Sequence, residues 1–222
     1  MKKIIVLLMA ICMMVSYAEA QSQKDIRKAY ETERKAAVKS LNKKSMKAAR
    51  KDAKRYKKEG WIVPIGALPL DKQLERSYIM AEMINDEMLP KYFAGRANGV
   101  GNTFTAAKIQ ADGVARYDIA GQIQSELVAL LDMSVANHEL ENKDAASITE
   151  VVMASKQLIV QSLTRTIPVI EVYRELENGN VEVMVRCYYD RETAKQTTLN
   201  IIKSELEQKS DKLHEKLDQL AF

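Results

Sequence analysis

Cys187 is the only cysteine outside the first twenty residues, and the chain has two histidines, His138 and His214. A cysteine nucleophile needs a neighbouring base and an electropositive, partly open setting. Cys187 instead lies within the valine-rich run VEVMVRCYYD, where alternation makes it a small buried hydrophobe. His138 reads as a loop residue and His214 as part of a distal helix, so neither stands ready as the base. Two isolated histidines without a cysteine pair point away from zinc. Glu139, Glu141 and Asp144 cluster near a loop, but without an EF-hand pattern they read as solvated helix-end charge. Gly95, Gly99 and Gly101 precede a helix as a phosphate loop would. However, Val100 and Phe104 stand where glycines are required, and no lysine follows Gly101. A strand-to-helix turn is the expectation there. No catalytic set, cofactor site or metal site emerges, so a non-enzymatic protein is expected.

The densest feature is charge. Lys43, Lys44, Lys47, Arg50, Lys51, Lys54, Arg55, Lys57 and Lys58 crowd one short segment, and these nine are the candidate contacts for an anionic partner. Between Gln21 and Gly60 fifteen Lys/Arg stand against five Asp/Glu, while Trp61 to Phe222 carries a net charge of −7. A basic arm on an acidic body favours an anionic partner, or contact between the two parts. The alternative is a plain solvated helix with a charged side.

The first twenty residues combine Lys2 and Lys3, an apolar run from Ile4 to Val15, and Ala18-Glu19-Ala20. That is the pattern of a secretory signal peptide, with the mature chain expected from Gln21. Twelve apolar residues are too few to span a hydrocarbon core of about 30 Å. Cys12 offers an alternative lipidation site, but Ile11 precedes it where a small residue is normally needed. Export would make lipopolysaccharide, anionic lipid or an envelope protein the natural anionic partner, and exclude nucleic acid as a physiological one. A single mature cysteine leaves stability to a packed core.

The elements that must position these residues follow from periodicity. Residues 23–58 lack Gly and Pro and predict a long basic helix, with Ala49, Ala53 and Tyr56 in a thin apolar stripe. GWIVPIGALPL predicts an extended connector lying against the body, with Trp61, Ile62, Val63 and Ile65 covered. Asp71 is expected to cap a helix reaching about Met88, with Leu74, Tyr78, Ala81 and Ile84 on its inner side. A strand follows from Lys91, and Asn102 or Thr103 should cap a helix running to about Met133. Its expected inward row is Ala106, Ile109, Gly113, Tyr117, Ala120, Ile123, Leu127 and Leu130. A second helix is expected over 144–163, with Ile148, Val151, Val152, Leu158 and Ile159 on its apolar side.

Asn178-Gly179 predicts a two-residue type I′ hairpin turn. That turn would set Leu176 opposite Val181, Val172 opposite Val185 and Ile170 opposite Cys187, all on one apolar face. Glu171 would face Arg186, and Tyr173 would face Met184. Arg174 is the exception on the apolar face, near the tip. A last helix from about Glu192 carries Leu199, Ile202, Leu206, Leu213, Leu217 and Leu220. The expected class is α+β: a small antiparallel sheet with a C-terminal hairpin, packed on long helices, plus a long basic N-terminal helix.

Three stretches carry a family resemblance: AAKIQADGVARYDIAGQIQSELVALL, SKQLIVQSLTRTIPVIEVY and the hairpin end VEVMVRCYYD. Their order resembles the LPP20 lipoprotein family, including its FlgP-like flagellar members, and the strand–helix–strand–strand (SHS2-like) module. In wording, GALPLDKQLERSY and VMASKQLIVQS are similar to a group of exported Bacteroidetes proteins. The resemblance implies a non-enzymatic cell-envelope domain that in some members assembles into larger structures. The implied organisation is a signal peptide (1–20), a basic helical arm (21–60), and a connector with a helix (61–89). An LPP20-like α+β domain (90–205) and a C-terminal helical extension (206–222) complete it. Fold does not establish function, so two roles are expected. One is structural or assembly contact in the periplasm or at the outer membrane, by self-association or with a partner. The other is binding of a small periplasmic ligand near Tyr78, Tyr117, Tyr173 or Tyr188.

Overall fold

The computed structural model describes residues 46–207, apart from Glu87 and Glu139. The first twenty residues expected as a signal peptide, most of the expected basic arm including Lys43 and Lys44, and the residues expected as a terminal extension with Leu213, His214, Leu217 and Leu220 lie outside the described residues. The chain divides into two units between Lys47 and Ala48, and the second unit holds the sheet and the helices packed on it.

The class is α+β. Helix α1 is described over 46–58 and is followed by α2 (Leu70–Ala81). Next come strand β1 (Tyr92–Gly101) and helices α3 (Phe104–Ala136), α4 (Asn142–Ala154) and α5 (Lys156–Ser162). Strands β2 (Ile167–Glu175) and β3 (Val181–Asp190) and helix α6 (Arg191–Glu207) complete the order. The three strands form one antiparallel sheet in the order β1-β3-β2.

Helix α3 lies along one face of the sheet. Thr103 is its N-cap, accepting the Ala106 N–H on its side chain. The buried row begins Ala107, Ala111, Ala115, Ile119, one or two positions away from the expected Ala106, Ile109, Gly113, Tyr117. Ile109 and Tyr117 are exposed, and the expected row becomes the inward one only from Ala120 through Ile123 and Leu127. The glycines of β1 decide this. A Cβ on Gly95 would collide with the Ala115 carbonyl, and one on Gly99 with the Ala107 carbonyl. Alanine against glycine gives the closest approach of helix and sheet. The glycine run is thus a packing device within a strand, rather than only the strand-to-helix turn expected.

The hairpin differs from expectation by one residue. Leu176 N–H donates to Asn180 at 2.8 Å and Gly179 N–H to Leu176 at 2.9 Å, enclosing a three-residue loop. Gly179 has φ +79°, the left-handed residue that follows a type I turn in such loops. Val172 therefore pairs with Met184, Ile170 with Arg186, Glu171 with Val185 and Tyr173 with Val183. The bulge between Pro168 and Ile170 places Val169 and Ile170 consecutively in the same core. Val183, Val185 and Cys187 face α3, whereas Ile170 and Val172 join Met184 and Tyr188 on the opposite face. The single apolar face expected is replaced by two, because the second face is also covered.

That cover comes from α1, Trp61 and α2: Ala49, Ala53, Leu70 and Leu74 are all buried there. Trp61 lies under Arg174, whose guanidinium carbon is 4.5 Å from the ring centroid. Arg174 also pairs with Glu182 at 2.7 Å, so its head is held rather than free at the tip. Of the connector, Trp61 is buried and Val63 is half-buried, but Ile62, Ile65 and Leu68 are exposed.

Two helices are shorter than their periodicity suggests. Helix α2 begins after Pro69, whose carbonyl accepts the Lys72 and Gln73 N–H groups, with Asp71 in its first turn rather than at the cap. It ends at Ala81, and Ala81 and Ile84 are exposed. The Asn85 side chain captures the Leu89 N–H at 2.9 Å and Asn85 N–H donates back to Leu89, turning the chain before Met88. The helix expected over 144–163 breaks at Ser155 into α4 and α5, and Leu158 is exposed. Gln124 of α3 donates to the Val152 carbonyl at 2.6 Å and to Met153 at 3.3 Å, satisfying carbonyls at the break. Helix α6 follows β3 directly, with Asp190 accepting the Thr193 N–H at 2.9 Å. Its buried row is Ala194, Thr198, Ile202 and Leu206, with Leu199 half-buried beside it.

Candidate functional site

The outward flank of α1 is built by two alanines. Ala49 and Ala53, one turn apart, are 1 % and 5 % exposed and hold the helix close to the body. Tyr78 of α2 reinforces the seam by donating its hydroxyl to Asp52. Burial, then the Asp52 hydrogen bond and charge, pushes the Tyr78 phenol up to about 12. With that stripe inward, Arg50, Lys51, Lys54, Arg55, Lys57 and Lys58 are all exposed, as is Lys47. Arg55 is partly neutralised, since its Nη2 lies 3.2 Å from Asp52 and its Nε 3.7 Å from Glu59. Arg50, Lys51, Lys54, Lys57 and Lys58 present their charges along the flank.

A second concave feature lies where the start of β1 meets the middle of α3. It is an open groove of about 680 Å³. Tyr117 and Gln122 from α3, Lys156 from α5 and Arg191 from α6 converge on it. The Lys156 ammonium sits 3.9 Å from the Tyr117 ring centroid. The Arg191 guanidinium carbon lies 4.3 Å from the Phe93 ring centroid, its Nη1 donates to both Glu126 carboxylate oxygens, and its Nε donates to the Pro90 carbonyl at 2.6 Å. Gln122 donates to the Ala94 carbonyl at 2.9 Å.

Comparison with protein-family models, curated proteins and solved structures finds no match to this chain. The chemistry is therefore read from its own residues. Of the four tyrosines expected near a ligand, only Tyr117 lines the groove. Tyr188 is buried in the second core with its hydroxyl on Ser77, and Tyr173 packs edge-on against Phe104. Lys156, Glu126 and Arg191 carry no signal in the sequence, because three separate helices bring them together.

Cys187 lies in the core beneath α3, and burial followed by the Asp112 charge pushes its thiol up to about 11. Arg116 opposes that rise. A raised pKa suppresses the thiolate that nucleophilic chemistry requires. His138, with φ +61°, is exposed in the turn after α3. Glu141 and Asp144 stand at the start of α4, and Glu139 lies outside the described residues. Among the described residues no three His, Cys, Asp or Glu side chains gather as metal ligands. Among the same residues no helix is long and apolar enough to cross a membrane.

Both sheet edges are occupied by side chains or loop. On β1, Gln110 accepts the Val100 N–H at 2.8 Å, and Asp118 lies 3.4 Å from the Arg96 N–H. On β2, Gln73 accepts the Glu171 N–H at 2.8 Å, and Ile62 bridges Tyr173 with bonds of 2.7 and 2.9 Å. Occupied edges disfavour recruitment of a further strand.

Proposed function

We propose that this chain is a non-enzymatic, exported cell-envelope protein with a structural or assembly role, working through protein–protein or anionic-surface contacts. The observation that carries this reading is the α1 flank along a helix fixed by Ala49 and Ala53. Its exposed Arg50, Lys51, Lys54, Lys57 and Lys58 are not held in ion pairs among the described residues. The signal-peptide pattern of the first twenty residues supports export to the periplasm or outer membrane. The order strand, helices, hairpin, helix supports the LPP20-like assignment as part of the same proposal. Light scattering after size exclusion across a salt series, with cross-linking in cells, tests it. Salt-sensitive self-association or an envelope cross-link is expected. A strict monomer without an envelope partner would defeat the reading.

The groove favours a second reading, a periplasmic small-ligand-binding module. Its supporting observation is the Lys156–Tyr117 pair, an ammonium on an aromatic face lining an open depression. Thermal melts with envelope extracts should then show a ligand-dependent shift that Lys156→Ala removes. Unchanged melts at saturating extract would count against it.

A further inference from the structure

We propose that the turn at Ile65 inserts into an anionic lipid bilayer while the flank of α1 lies on the headgroups. This inference rests on the anionic-surface reading of the α1 flank and names the surface. From Trp61 to Leu70 the chain reads WIVPIGALPL, ten residues without a charge. Its ends enter the core, Trp61 and Leu70 being 6 % and 2 % exposed, and Val63 packs half-buried against the same cluster. Between them Ile62 and Leu68 are about half exposed and Ile65 is fully exposed.

This apolar surface is held in shape. Ala67 N–H donates to the Pro64 carbonyl at 3.1 Å, and Gly66 has φ +87°. Together they make a turn that requires glycine after its apex residue, Ile65. The Ile62–Tyr173 bridge fixes one end of the segment, and Gln73 Nε2 fixes the other on the Leu68 carbonyl at 2.7 Å. The segment is thus a braced projection with the Ile65 side chain outward at its apex.

The charge beside it is complementary to lipid phosphate. The projection starts directly beyond the end of α1, where Gly60 N–H bonds to Lys57 and Trp61 N–H to Tyr56. Lys54, Lys57 and Lys58 stand in that last stretch, exposed. Interfacial binding needs these two parts, apolar side chains to enter the acyl boundary and cations for the headgroups. A projecting apolar apex suits a fluid surface, whereas a protein partner would have to supply a matching cleft. Each basic residue at such a surface strengthens binding about fivefold.

The test is co-sedimentation of the chain, purified in the form cells accumulate, with phosphatidylcholine vesicles with and without phosphatidylglycerol. Binding is expected only to the phosphatidylglycerol vesicles, weakening as salt rises. Ile65→Asp should lower the partition coefficient about tenfold without shifting the thermal melt. The combined variant Lys54→Glu, Lys57→Glu, Lys58→Glu should abolish binding. If the charge variant loses binding and Ile65→Asp does not, insertion of the turn is overturned while the anionic flank stands. If the unsubstituted chain does not bind, the bilayer is overturned as the surface, and cross-linking in cells alone decides the assembly reading.

Discussion

Gly99 of β1 lies so close to the backbone of Ala107 in α3 that any Cβ there would overlap the Ala107 carbonyl oxygen. Neither neighbour is a side chain that can rotate away, because the Ala111 amide closes the other side at 2.6 Å. Gly99→Ala should therefore lower stability by about 3 kcal/mol, the upper end of ordinary overpacking. Gly113, on the outer side of the same helix, has nothing within 4 Å of its virtual Cβ. Gly113→Ala should raise stability by about 0.5–1 kcal/mol through helix propensity. Urea melts of the two variants should move in opposite directions.

The hairpin register rests on Gly179 at φ +79°. Gly179→Ala should cost about 1–2 kcal/mol, because an L side chain is strained in that region. Amide exchange should show the Gly179 N–H protected, as the donor to Leu176. An exposed amide with an unaffected melt would favour the two-residue turn instead.

Cys187 should resist thiol reagents at neutral pH in the folded chain and react at once in denaturant. Its pKa rises from 9.0 to about 11, with burial the first cause and the Asp112 charge the second. A raised folded pKa contributes stability that is complete below 9.0 and lost as pH climbs through about 11. Rapid labelling of the folded protein would contradict the core placement.

Tyr78 gives a separate alkaline signature. Its pKa rises from 10.0 to about 12, through burial and then the bond to Asp52. The associated stability is complete below pH 10.0 and disappears as pH passes about 12. Tyr78→Phe should be less stable than the unsubstituted chain at neutral pH, and the gap should narrow toward pH 12. Melts at several pH values, with tyrosinate absorbance followed in parallel, check both halves.

Much of the local structure was legible in the residues. Thr103 had the right side chain and position for a cap, and YFAGRANGVG alternated as a strand should. The alanine stripe of α1 was visible because Ala49, Ala53 and Tyr56 sit among cations. The candidate site was legible in its basic half alone, since charge density is a property of one segment. The groove was not, as its Lys156, Glu126 and Arg191 meet only after three helices pack.

Composition and periodicity by themselves determined the α+β class, the helix-to-strand order and the basic flank, all of which depend on near neighbours in the chain. Tertiary structure decided which face of α3 is buried and how the hairpin pairs. Ala106, Ile109, Gly113 and Tyr117 match helical spacing as well as Ala107, Ala111, Ala115 and Ile119 do, and only contact with Gly95 and Gly99 separates them. The hairpin register followed the same logic. With apolar residues on both faces of the sheet, alternation could not choose between registers one residue apart. The choice came from Gly179 in the turn and from the second layer of Trp61, Leu70 and Leu74.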